Sequence, residues 1–282
     1  MLPGGRLHLQ DGPIDLVVHA DGAPGAVAAA YRAAMARAGT ILDELCAELP
    51  LLRAPAARAA EGAVARRMQR AVQPFEAGCF ITPMAAVAGA VAEAVLAAMT
   101  GAAPLRRASV NNGGDIALHL APGEALIAGM AARPGRLELF GRVRIAAGDG
   151  LRGIATSGFG GRSDSFGIAD AVTVLARSAA EADAAATIVA NAVDLPGHGA
   201  IRRGPSVRAG SDLGGRAVTL AVGALPAAEI DAALERGAVL AQALLGRGLL
   251  GAAALHLRGA TRLVQPAAYF SGPGGCAPAR LQ

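Results

Sequence analysis

The sequence predicts an α+β fold in which helices pack on an antiparallel or mixed sheet. Three observations carry that reading. Apolar residues recur at helical spacing over 24–48, 57–72 and 83–99. Short apolar runs broken by Gly, Pro or Asn follow at 105–110, 115–120, 124–131 and 136–146, the texture of a strand meander. Strand-like and helix-like stretches then alternate, and no linker longer than a loop divides the chain, so a single domain over 1–282 is expected.

The elements follow in order. Residues 6–10 and 14–19 flank Asp11-Gly12-Pro13 and read as a hairpin. The helix over 24–48 sets Tyr31, Met35, Ile41, Leu42 and Leu45 near one face, and the segment from Leu49 to Pro55 ends it. Thr100-Gly101 closes the third helix. Ala-Val-Thr-Val-Leu-Ala at 171–176 is a strand, and Ser178 with Glu181 forms a capping box that opens a helix over 179–192. A strand at 216–222, a helix at 226–246 and strands at 252–257 and 260–265 complete the pattern, with 271–282 expected as a flexible end.

Composition narrows the class. Hydrophobic residues make up 53% of the 282, yet only six are Phe, two Tyr and none Trp, beside 71 alanines and 38 glycines. The core must therefore be closely packed small side chains with Leu and Val. A charged fraction of 17% excludes disorder as the overall state. All 26 basic residues are Arg, set against 22 acidic ones and dispersed along the chain. Neither a basic stripe nor interleaved aromatics is present, which argues against nucleic-acid binding.

Cys46, Cys79 and Cys276 form no disulfide framework and no CxxC pair, which points to a reducing, cytoplasmic setting. The first residues lack a basic region followed by an apolar run, so no signal peptide is expected. Residues 81–99 approach a membrane span in length, but Glu93, Pro83 and the dominance of Ala favour a buried helix of a soluble protein. Such small-residue helices can also pack between copies, and a homodimer is expected.

Three segments can carry chemistry. Asn111-Asn112-Gly113-Gly114-Asp115 lies between two strands, where bare glycine backbone can approach an anion; the same letters also make an ordinary hairpin turn. Thr156-Ser157-Gly158, followed by Arg162, Ser163, Ser165 and Phe166, makes a Gly-rich loop able to fold round a ligand, or a plain surface loop. Arg162 suits a phosphate or carboxylate, although no Walker motif is present. Asp183 and Thr187 stand four apart on one helical face and offer hard oxygen ligands for Mg²⁺, or merely decorate a helix start. The histidines show no zinc spacing, and no GxSxG elbow occurs.

These segments, in this order, resemble the ApbE-like family of flavin transferase relatives, mainly over 105–192. The resemblance implies an ApbE-like, T-fold-related architecture, a flavin (FAD or FMN) at Asn111–Asp115 and Thr156–Gly158, and Mg²⁺ at Asp183 and Thr187. The chain departs from the family pattern after Thr156-Ser157-Gly158, where Gly-Phe-Gly-Gly-Arg-Ser-Asp-Ser-Phe-Gly replaces the His-x-x-Asp-Pro segment whose His assists FMN transfer to a protein threonine. It looks like a shorter side branch, for which binding of a flavin, nucleotide or related anionic heterocycle is expected over flavinylation. Two alternatives stay open: an enzyme of pterin-type (tetrahydromethanopterin-like) cofactor synthesis, and a non-catalytic interaction protein.

Overall fold

The computed structural model describes residues 1–55, 58–131, 139–161, 163–208 and 211–272. Strands β1 (Leu7–Asp11) and β2 (Ile14–Asp21) form the expected opening hairpin. Helix α1 (Pro24–Ala47) follows, then a single turn α2 (Leu49–Leu52) and helix α3 (Ala63–Val72). A short 3-10 turn at Pro83–Ala86 leads into α4 (Val87–Ala102). Next come β3 (Arg107–Asn112), β4 (Asp115–Leu120), β5 (Ala125–Ala131), β6 (Leu139–Ala146), β7 (Gly153–Ser157) and β8 (Ala171–Ala176). Helix α5 (Ala179–Ala192), β9 (Ile201–Pro205), β10 (Ala217–Val222), α6 (Ala227–Gly246), β11 (Ala252–Leu257), β12 (Ala260–Val264) and β13 (Phe270–Ser271) complete the chain.

Among the described residues, eight strands form one sheet in the order β1-β2-β3-β4-β7-β8-β11-β12, each pair antiparallel. Its alternating side chains feed two cores. Leu16, Val18, Val110, Ala117, Val172, Val174, Ala253 and Leu255 face the helices. Leu118, Ile154, Leu175, Ala252 and Ala254 face a second sheet, β5-β6-β13, through Met130, Val143, Ile145 and Phe270. The fold is α+β, as expected, with an antiparallel sheet.

The run Pro83–Ala102 is long and apolar enough to cross a membrane by composition alone, at mean hydropathy 1.6. Here α4 lies inside the core, packed against α1, α3, α5, β3 and β4. Its mid-helix carboxylate is satisfied there. Glu93 Oε1 accepts the Ala180 N–H at 2.7 Å, and Oε2 pairs with Arg67 Nε at 2.7 Å. The small residues permit the close approach. A Cβ at Gly89 would lie 2.2 Å from the Ala179 carbonyl oxygen, and one at Gly153 would lie 2.1 Å from that of Ser178. The N-terminus of α5 is thus wedged between α4 and β7. Ser178 caps it, its Oγ accepting the Glu181 N–H at 3.3 Å.

Several boundaries differ from expectation for physical reasons. The second helix begins at Ala63 rather than 57, because the Glu48 carboxylate accepts the Glu61 and Gly62 N–H groups, each at 2.7 Å, and holds Gly62 extended. Met35 does not share the buried face of α1: it is 47% exposed, and the buried stripe is Ala30, Ala34, Ala38, Ile41 and Leu45. The strand expected at 105–110 lies at Arg107–Asn112, so Asn111 and Asn112 belong to it. β7 and β9 carry no length or alternation signal and were not expected; each is five residues long. The supposed flexible end loses Ser271 to β13, which pairs with Arg142 of β6, while 273–282 lies outside the described residues.

Candidate functional site

The β3–β4 hairpin has a two-residue turn at Gly113-Gly114, with Asn112 opposite Asp115. Both glycines take positive φ, 66° and 119°, which other residues adopt at a cost. Asn111 Oδ1 accepts the Gly114 N–H at 2.8 Å and braces the turn. The segment is a hairpin turn, and that geometry aims Asn112 and Asp115 to the helix side of the sheet, since each lies two residues from Val110 or Ala117 of the helix-facing core and so shares its face. Buried Asn112 donates from Nδ2 to the Ala88 carbonyl at 3.2 Å and accepts the Asp15 N–H at 3.5 Å. It ties the hairpin to the first turn of α4.

Asp115 and Asp183 meet across that junction. Asp115 Oδ1 accepts the Thr156 N–H at 3.2 Å, and Asp183 Oδ2 accepts the Gly89 N–H at 3.0 Å. Burial first, and the neighbouring Asp115 charge second, push the Asp183 carboxyl well above the usual carboxylate range. The Gly89 and Ala88 N–H groups at the start of α4 pull the other way. The sequence does not advertise Gly89 or Ala88 as site residues; they sit in a monotonous small-residue helix. Thr187 follows Asp183 one turn on, on the same face of α5.

The 156–167 loop divides its residues. Thr156 reaches the site by its backbone only, because its side chain points to the other sheet face and bonds Thr173 Oγ1 at 2.9 Å. Ser157 alternates with it and shares the helix side with Ala155. Gly158 is a packing requirement, since a Cβ there would lie 2.5 Å from the Asp170 carbonyl oxygen. Ser163 is exposed. Ser165 is buried, its Oγ 3.3 Å from Asn191 Oδ1, and Phe166 N–H donates to the same oxygen at 2.9 Å. These two residues therefore attach near the end of α5, two turns beyond Asp183. Arg162 lies outside the described residues.

No histidine is bonded to this site among the described residues. His8 pairs with Asp15 on the far sheet face, and His119 bonds the Leu105 carbonyl. His198, with no partner expected from the sequence, lies 3.1 Å from Glu229. His256 bonds Thr261 and stacks on Phe140 in the second core, with its imidazole held less basic than usual by burial. Nor does any cluster of three or more His, Cys, Asp or Glu occur among the described residues. What the site offers is oxygen: two carboxylates at a helix start.

A family model described as AbpE bacteria matches residues 1–263. A UPF0280 protein of Methanopyrus kandleri is 41% identical over 137 residues, covering 48% of this chain and 52% of that protein. The UPF0280 protein of Methanothermobacter thermautotrophicus is 40% identical over 135 residues, covering 47% and 49%. The chain spans about half the length of the curated relatives it matches. Among solved structures, the apo form of the Pseudomonas stutzeri flavinyl transferase ApbE is similar over 92% of this chain and 93% of its own, at 11% identity and a TM-score of 0.42. With its matched span running through hairpin, Thr-Ser-Gly strand and Asp183 helix alike, the chain belongs to the ApbE-like family described as AbpE bacteria.

Proposed function

We propose that this protein binds a flavin or a related anionic heterocyclic nucleotide through Mg²⁺ held by Asp183 and Thr187, with Asp115 beside them. The observation that carries the reading is the Asp115–Asp183 pair. Two carboxylates brought together at a partly buried point repel one another, and a divalent cation relieves that repulsion. The donor set is of the kind the ion takes: hard oxygens, too few to hold it without water and ligand phosphate. When bound, Mg²⁺ would neutralise phosphate charge.

The chain's own residues hold the arrangement. Thr156 N–H fixes Asp115, Gly89 N–H fixes Asp183, and Asn112 locks the hairpin to α4. The Gly114 backbone is open on its Cβ side, with nothing within 4 Å, so a ligand can approach it closely. Among the described residues no histidine is bonded to the site, and the sequence lacks the His-x-x-Asp-Pro segment. Metal-dependent binding is therefore favoured over transfer of FMN to a protein threonine.

Calorimetric titration with FAD tests this. Binding is expected in Mg²⁺, with at least tenfold loss in EDTA or in Asp183→Ala. Equal FAD affinity in wild type and Asp183→Ala would remove the metal assignment. A covalently fluorescent acceptor, after incubation with FAD, Mg²⁺ and a protein carrying a flavinylation motif, would show transfer instead.

A further inference from the structure

Asp183, Thr187 and Asn191 repeat every four residues and form one stripe along α5. Eight residues at 1.5 Å rise put Asn191 about 12 Å along the helix from Asp183. Asn191 anchors Ser165 and Phe166, and the Phe166 carbonyl is in turn held by Arg203 and Thr219. The Phe166 ring is thus set by a fixed backbone. It meets Phe80 edge-on, with centroids 6.3 Å apart. The Arg216 guanidinium covers the Phe80 ring, its carbon 3.6 Å from the centroid. A bond from Thr82 Oγ1 to Asp212 draws the Arg216 loop onto the segment that carries Phe80.

In a chain with eight aromatic residues, two half-buried rings and an exposed, unpaired guanidinium at one edge are an uncommon concentration. Arg216 makes no ion pair among the described residues; its polar contact is the Leu213 carbonyl at 3.4 Å. Aromatic rings and a guanidinium plane both stack on flat heterocycles, and an exposed cation–π contact is a weak one that a ring ligand can replace. We propose that Phe80, Phe166 and Arg216 form the platform for the ligand's planar ring, at the far end of the stripe whose Asp183 and Thr187 hold its phosphate. This rests on the ligand-binding reading above. It narrows the class to phosphorylated compounds whose planar ring is set off from the metal-bound phosphate by a spacer.

The test separates ring from phosphate. FAD and inorganic pyrophosphate are titrated into the Mg²⁺-loaded protein by calorimetry. Phe80→Leu and Arg216→Gln are expected to weaken FAD at least tenfold while changing pyrophosphate less than twofold, and Phe80→Tyr, which keeps the ring, restores FAD to within threefold. Arg216 is on the surface, so its variant reports even where a Phe80 variant folds poorly. FAD binding that needs Asp183 but is unchanged in Arg216→Gln and Phe80→Leu overturns the platform alone. Failure of wild type to bind either probe overturns the underlying reading and the platform with it.

Discussion

Asp115 at the start of β4 and Asp183 in α5 bear on each other across the first turn of α4, and the charge of one makes ionisation of the other harder. The backbone supports both carboxylates, Asp115 through Thr156 N–H and Asp183 through Gly89 N–H. The pair is a liability for the bare protein, and on the binding reading proposed above a cation would relieve it.

Asp183→Asn should therefore stabilise the metal-free protein while removing its response to Mg²⁺. The amide oxygen can still accept the Gly89 N–H, and the like-charge repulsion is gone. A rise in Tm of about 2 °C is expected, the shift that roughly 1 kcal/mol makes in a domain of this size class. Thermal melts with and without Mg²⁺ check both halves; a lower Tm in the metal-free variant would contradict the account.

Gly89→Ala should separate α4 from α5. The new Cβ would meet the Ala179 carbonyl oxygen at 2.2 Å and its carbon at 2.4 Å, both backbone atoms that cannot swing aside. A loss of about 2 kcal/mol or more is expected, at the upper part of the range for overpacking. The urea midpoint measures it, and an unchanged midpoint would mean the two helices are not this close.

Glu93→Ala should cost about 2 kcal/mol, less than the cost of breaking a fully buried pair because both partners keep some solvent contact. The variant leaves Arg67 unpaired and the Ala180 N–H without its acceptor. A double-mutant cycle with Arg67→Ala apportions the loss. Additivity of the two single effects would show that the pair is not coupled.

Acid sensitivity should report Asp21. Bonds from Arg107 and then Arg106 hold its carboxyl below the usual carboxylate range. A depressed folded pKa contributes stability that is fully present above the unfolded value of about 3.9 and is lost as pH falls through the folded one. Wild type should therefore exceed Asp21→Asn in stability at neutral pH, with the gap closing below about pH 4. Urea midpoints across that window give the answer; a gap that widens on acidification would reverse the sign.

The sequence by itself determined the elements whose burial repeats with their own period. The strands at 171–176 and 252–257 and the helix at 179–192 stand at their expected boundaries, because alternation or cap chemistry is local information. The Gly113-Gly114 turn was legible for the same reason. Only the tertiary structure decided that Asp115 would face Asp183, that Thr156 would act through its N–H, and that Gly89 would hold a carboxylate. It also decided that Met35 would face outward while Ala34 and Ala38 lie buried. The physical reason is shared. Small side chains let backbones approach closely, but many pairings of Ala-rich surfaces satisfy that condition equally, and the choice among them comes from sheet register and the wedge of α5 between Gly89 and Gly153.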